Sequence, residues 1–268
     1  MGGGDGAELI NVTALSGFGL PAKDYKTVEF AGENGSTLIG ERDMARVITI
    51  SATVRGERRE RTKINKVFHE SGELYCIFDD VRRKISCRVT AQPEFVRCGK
   101  SNLYTFTVQL QADYPYFTEF NQRTIALYSQ RNLVTDTFTL PCVFTERISR
   151  KIIYNNGDKY VYPKLIITNV GSTSDETGKI TIENHTTGAK ITVEYTPSNG
   201  EIITVDTSMR RLYSNISGSI TNNISDDTDL SSFYFDIGEN DIEFKNTAQG
   251  QVLNAVAVFS PEFYSAEV

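Results

Sequence analysis

The residues able to do chemistry are few and scattered. His69 and His185 stand far apart, and no GxSxG elbow offers a nucleophile to either of them. Cys76, Cys87, Cys98 and Cys142 contain no CxxC pair, so the spacing of a structural zinc site is missing. Asp226, Asp227 and Asp229 could offer oxygen ligands, but the twelve-residue spacing and glycine of an EF-hand loop are lacking. A solvated acidic loop is the expectation there. Gly17 and Gly19 miss the GxGxxG spacing and precede no helix, so a turn is expected in place of a phosphate cradle. A glycoside hydrolase would need two carboxylates at a defined separation, and no pair stands out. No catalytic residue, metal or cofactor is expected. What remains is aromatic: Tyr160, Tyr162 and Tyr213 could stack on sugar rings, the basis of an alternative reading as a carbohydrate-binding adhesion protein.

These residues need elements to hold them, and the strongest strand signal lies in Leu103 to Phe120. Tyr104, Phe106, Val108, Leu110 and Ala112 alternate with Thr105, Thr107, Gln109, Gln111 and Asp113, the period-two pattern of a sheet with one buried face. The run ends at Asp113-Tyr114-Pro115-Tyr116-Phe117, where Pro115 removes a donor and forces a bend. The aromatics at that bend fit either a plug of the module's own core or a contact with another module or subunit. Phe18, Tyr114, Tyr116 and Phe117 are the interface candidates.

Arg46 to Val54 is a second alternating strand, with Ile48, Ile50, Ala52 and Val54 on one side. Glu57 to Ser71 is predicted as a helix with a narrow stripe of Ile64, Val67 and Phe68 and an otherwise mostly basic surface. Strands at Leu74–Phe78 and Ile85–Ala91 flank a polar turn. That hairpin is expected to set Cys76 opposite Cys87 as inward-facing small hydrophobes, or else as a disulfide.

From Ile152 the pattern restarts. Asn155-Asn156-Gly157-Asp158 reads as a hairpin turn. Short alternating runs follow at 164–169, 179–184, 189–195, 201–206 and 252–259, which describe a β-sandwich. Residues 1–150 hold 20 Lys+Arg against 18 Asp+Glu, a balance of +2; residues 151–268 hold 8 against 16, a balance of −8. Two separately built modules follow, 1–138 and 139–268. A net charge of −6 argues against a general nucleic-acid binder. No run reaches a membrane span, and the start lacks the regions of a signal peptide, so assembly in the cytoplasm is expected.

Several features in order resemble the distal tail (Dit) proteins of long-tailed bacteriophages, the siphovirus tail component family. They are the Gly19-Leu20-Pro21 turn; the succession strand, basic helix, hairpin and long strand; the Asp113–Phe117 ending; and Asn155–Asp158 with Pro163, Ile166 and the later Gly238-Glu239-Asn240 turn. The resemblance implies a mainly β chain: a split-barrel-like N-terminal module with one helix, then a galectin-like or carbohydrate-binding-like sandwich. It implies a structural, non-enzymatic hub at the virion tail tip. Six copies would form a ring joining the tail tube to the tail-associated hub or lysin, beside receptor-binding protein or cell-wall glycan, with DNA only in transit and no membrane contact.

Overall fold

In a computed structural model, residues 10–32, 34–55, 58–99, 102–128, 147–171, 178–247 and 251–266 are described. The expected module boundary at 138–139, the 121–150 connection beyond residue 128 as far as 146, Cys142 and the glycine-rich start lie outside them. The chain is mainly β and forms two compact units, 1–120 with 263–268, and 121–262.

The first unit contains β1 (Ile10–Ser16), β2 (Lys23–Val28), β3 (Thr37–Asp43), β4 (Arg46–Arg55), α1 (Arg58–Val67), β5 (Gly72–Phe78), β6 (Val81–Ala91), β7 (Val96–Arg97), β8 (Leu103–Ala112) and β9 (Phe117–Glu119). Its curled sheet runs β1-β4-β8-β6-β9 and ends on β20 (Glu262–Phe263), while β2 and β3 pair only with each other. The alternation in β4 and β8 works as the sequence requires. Ile48, Ala52, Val54, Phe106, Val108, Leu110 and Ala112 are buried, and the threonines between them face outward.

Two local expectations need correction. Ile64 is buried and Phe68 half-buried, but Val67 is 73% exposed. The i, i+4 pair carries the packing, and Val67 rims a groove of about 320 Å³ with Ile10 and Val54. Cys76 and Cys87 are not opposed either. The hairpin turns on Asp79 and Asp80, with Asp79 left-handed (φ 50), so Cys76 pairs with Arg83 and Cys87 with Gly72. They are separate thiols. Burial pushes Cys76 up to about 11 and raises Cys87 as well, which keeps both protonated and unreactive at neutral pH.

Gly17 turns the chain with φ +88, and a Cβ there would sit 2.2 Å from the Val47 carbonyl oxygen. Gly17→Ala is therefore expected to cost about 3–5 kcal/mol, strain and overpacking together. Gly32→Ala, with φ +89 but open space around it, should cost about 1–2 kcal/mol from strain alone. Urea denaturation of the two variants measures the difference.

The second unit is a sandwich. A six-stranded sheet holds β10 (Arg123–Tyr128), β19 (Leu253–Phe259), β12 (Lys164–Asn169), β15 (Ile202–Asp206), β16 (Arg211–Ser214) and β17 (Gly218–Ser219), in that order. A four-stranded sheet holds β11 (Arg147–Asn155), β18 (Gly238–Asn246), β13 (Lys179–Asn184) and β14 (Ala189–Glu194). Leu165, Ile167, Ile203, Val205, Ala255 and Ala257 from one sheet meet Ile153, Ile180, Ile182, Ile191, Ile242 and Phe244 from the other. Asn155–Asp158 is a turn but not a hairpin. β11 pairs with β18, and after the turn Val161 makes a lone bridge to Phe235 before β12 joins the other sheet.

β11, β12 and β13 share one ending. Asn155, Asn169 and Asn184 are buried, and each side-chain oxygen accepts from the N–H two residues on, at 3.1, 3.0 and 3.0 Å. Each amide nitrogen donates to a carbonyl further along the chain, of Lys159 within the same turn and of Pro197 and Tyr234 across the fold, at 2.9, 2.8 and 2.9 Å. The Asx turn stops the strand and satisfies a buried corner at the same time.

Candidate assembly and ligand surfaces

Arg46 lies in phase with Ile48, Ile50, Ala52 and Val54 and so points inward, where a charge must be fully paired. Its Nε donates to the Pro115 carbonyl (2.8 Å), Nη1 to those of Gly17 (2.7 Å) and Gly19 (2.6 Å), and Nη2 to that of Tyr264 (2.6 Å). The guanidinium lies 4.7 Å from the centre of the Phe117 ring. Burial lowers its pKa from the ordinary guanidinium value and Asp43 opposes the drop. One planar fork thus gathers the Gly17–Gly19 turn, the Pro115 bend and the 263–266 segment.

That segment is part of the same core. Phe263 and Ala266 are buried, Arg83 lies 3.7 Å from the Phe263 ring centre and donates to the Ser265 carbonyl, and Ala266 N–H donates to the Phe18 carbonyl at 2.9 Å. The four interface candidates therefore separate. Phe18 and Phe117 are buried and stack at 6.2 Å inside the unit, which is the plug arrangement. Tyr116 is half-buried, its hydroxyl donating to Asp43 at 2.6 Å and its ring meeting Tyr264 at 5.7 Å. Tyr114, 53% exposed, packs edge-on against Tyr116 and borders an open cleft of about 550 Å³ with Cys87, Arg88, Gln111 and Asp113.

A surface not singled out from sequence is the β2–β3 ribbon. Lys23–Glu41 and Asp24–Arg42 ion pairs lace it, and Tyr25, Leu38 and Ile39, with Phe30 in the connection, are exposed. Exposed pairs of this kind contribute little, and a two-stranded ribbon with exposed apolar residues is marginal by itself. Alternation in 23–43 is too weak to have flagged it.

In the second unit, Tyr160 and Tyr162 are brought together and Tyr213 is not. Val161 points into the core, so the tyrosines on either side point out. Phe233 and Phe235 likewise point in and leave Tyr234 facing outward, where its ring lies 5.1 Å from Tyr160 and 6.3 Å from Tyr162. Tyr160 and Tyr162 meet edge-on at 5.7 Å. Tyr213, on β16, is separated from β12 by β15. The Phe-Tyr-Phe pattern at 233–235 was the signal for the third ring.

Glu183, His185 and Glu243 bring possible metal ligands within 4.8 Å of one another. The three side chains contact one another directly: His185 Nε2 lies 2.7 Å from Glu243 and Nδ1 3.5 Å from Glu183, so one ring edge faces each carboxylate. The Lys245 ammonium, 3.0 Å from Glu243, already supplies a cation, and its hydrogen bond heads the causes holding that carboxyl below the usual range.

A scan of protein-family models and a search of curated proteins find no match. Among solved structures, the chain is similar to the Dit (gp 19.1) protein of phage SPP1, described as a paradigm of the hub adsorption apparatus in phages infecting Gram-positive bacteria. The TM-score is 0.66 at 16% identity, over 97% of this chain and 96% of that one. Two structures of the phage P2 baseplate in its activated conformation, with Ca and with Sr, each give a TM-score of 0.46 at 9% identity. They cover 93% and 92% of this chain and 90% of theirs. The chain has the fold of the SPP1 Dit protein across both of its units.

Proposed function

We infer that this chain is a distal tail protein of a long-tailed bacteriophage, a non-enzymatic hub at the tail tip. The observation that carries the reading is the fold likeness over nearly the whole of both chains. In this reading six copies close a ring through the first unit. The ring joins the tail tube to the tail-associated hub or lysin, carries receptor-binding parts and leaves a channel for DNA. A closed ring covers surfaces that a lone copy leaves bare. The β2–β3 ribbon and Tyr114 are such surfaces, and aromatic and apolar side chains of this kind populate the centres of subunit interfaces.

The test is solution mass by light scattering with negative-stain imaging. The expected particle has the mass of six 29.9 kDa chains and a central hole, alone or on mixing with tail-tube protein. A chain that stays single under both conditions overturns the reading. Leu38→Asp with Ile39→Asp, both at exposed positions, should leave the fold intact and shift the population toward single copies. Full-sized rings from that variant would remove the ribbon from the interface.

A further inference from the structure

We propose that Tyr160, Tyr162 and Tyr234 form a saccharide-binding cup on the second unit, taking a pyranose ring of a polysaccharide. The proposal is independent of the ring reading, since it concerns the sandwich alone and survives or fails by itself.

The strand register dictates the cup. Val161 and Phe235 bridge each other through two backbone hydrogen bonds, at 2.9 and 2.8 Å, and both side chains are buried. The residues flanking them have no place in the core. Three tyrosines thus stand together on the outer side, Tyr160 41% and Tyr162 40% exposed. Their planes are steeply inclined, at 88°, 53° and 75° for the three pairs, so they form a corner and not a flat stack. A corner offers one ring face to the C–H side of a pyranose while neighbouring phenols reach its hydroxyls. Each ring combines an apolar body with a polar tip, the combination sugars present in reverse. Burial, then the charge of Tyr160 and a hydrogen bond to it, raises the Tyr162 pKa, so the phenol keeps its proton and its capacity to donate.

The charged neighbours narrow the ligand. The half of the chain from 151 carries −8, and the cations beside the cup already face carboxylates, Lys159 facing Glu262 at 3.8 Å and Arg210 acting on Asp229. Lys159 Nζ lies 5.6 Å from the Tyr160 ring centre, and Arg210 acts on Tyr162 electrostatically. With those cations already facing carboxylates in an acidic half of the chain, an uncharged saccharide held by the rings is the ligand the cup fits. A neutral glycan would use the rings alone.

The experiment titrates the full chain with chitin hexamer, a β-glucan hexamer and a polygalacturonate fragment, read by calorimetry and by NMR of ring-labelled tyrosine. At least one probe should bind with a dissociation constant of about 1 mM or tighter, and ring shifts should centre on the three tyrosines. The neutral probes should bind more tightly than polygalacturonate; the reverse preference would overturn the assignment to ring stacking and transfer the binding to Lys159 and Arg210. Tyr162→Ala should weaken binding roughly tenfold, as loss of one aromatic contact does. Tyr162→Phe should retain most of it, and Tyr213→Ala should change nothing. No heat and no shift with any probe overturns the proposal and leaves the cup as a protein contact. Binding that survives Tyr160→Ala with Tyr162→Ala, or shifts centred elsewhere, overturns it equally. The ring-shift map on the unaltered chain keeps the test decisive should a variant fold poorly.

Discussion

Arg46→Met is expected to destabilise the first unit by about 3–5 kcal/mol, the range for removing one partner of a buried charged network. Methionine fills much of the stem volume, so the loss measures the fork itself. The carbonyls of Pro115, Gly17, Gly19 and Tyr264 would together lose their donor, and buried acceptors without partners are costly. Arg46→Lys should rescue little. An ammonium has three donors at one point and cannot span four carbonyls, nor lie flat over Phe117. Against a typical domain stability of about 5–15 kcal/mol, such a loss is large. Denaturant unfolding followed by probes in each unit should show the first unit weakened and the sandwich unchanged. A variant within about 1 kcal/mol of the unaltered protein would show the guanidinium to be dispensable.

The second large effect concerns Glu201, a buried carboxylate at the start of β15. It accepts from the Tyr195 hydroxyl (2.7 Å), the Ser198 N–H (2.7 Å), the Ser217 hydroxyl (3.2 Å) and the Ser214 hydroxyl. Burial works to raise its pKa, but Ser214, Ser198, Tyr195 and Ser217 together prevail, and the net direction is down from the ordinary value of 4.5. A depressed carboxyl contributes stability that is fully present above its unfolded pKa and fades as pH falls through the folded one. Glu201→Gln should therefore destabilise the sandwich at pH 7 by about 1.5–3 kcal/mol, the range for a hydrogen bond to a charged group. The gap from the unaltered protein should narrow as pH drops below about 4. Thermal unfolding from pH 7 to 3 tests this; a gap constant across that range would contradict the ionised network.

How much of this was legible depends on where each pattern's partner lies. β4, β8 and β19 were legible because alternation is local: Phe106, Val108 and Leu110 announce their own inward face. The sandwich followed from repeated short runs of that kind. Pairing was not legible, because it is decided at a distance. Nothing near Asn155 says that β11 joins β18 while the chain after it crosses to the other sheet. Cys76 and Cys87 were set opposite each other by placing the turn centre two residues too late; the left-handed Asp79 fixes it. Val67 fitted a helical stripe, but Ile64 and Phe68 satisfy the packing without it.

Among the site residues, Tyr160 and Tyr162 carried their own signal, whereas Tyr234 needed the Val161–Phe235 bridge to join them. Phe18 and Phe117 are 99 positions apart in the chain, and their stacking is set by the Gly17 turn and the Pro115 bend that Arg46 ties together. Arg46 had a clue in its phase, since a charged residue on the inward side of a strand must be paired with something. Its partners could not be guessed, because one of them lies 218 positions away.

The return of residues 263–266 to the first unit has a consequence for biosynthesis. While the ribosome is still making the sandwich, the module emerging first lacks Phe263, Ala266 and the Tyr264 carbonyl that Arg46 binds. It waits, incomplete, for a segment translated more than a hundred codons later. If copies close a ring through the first unit, as proposed above, nascent chains on one message would be kept from associating through a finished module before each has its sandwich. Products of premature termination, lacking the segment, would be left with an open core and be targets for proteolysis rather than poisonous members of an assembly.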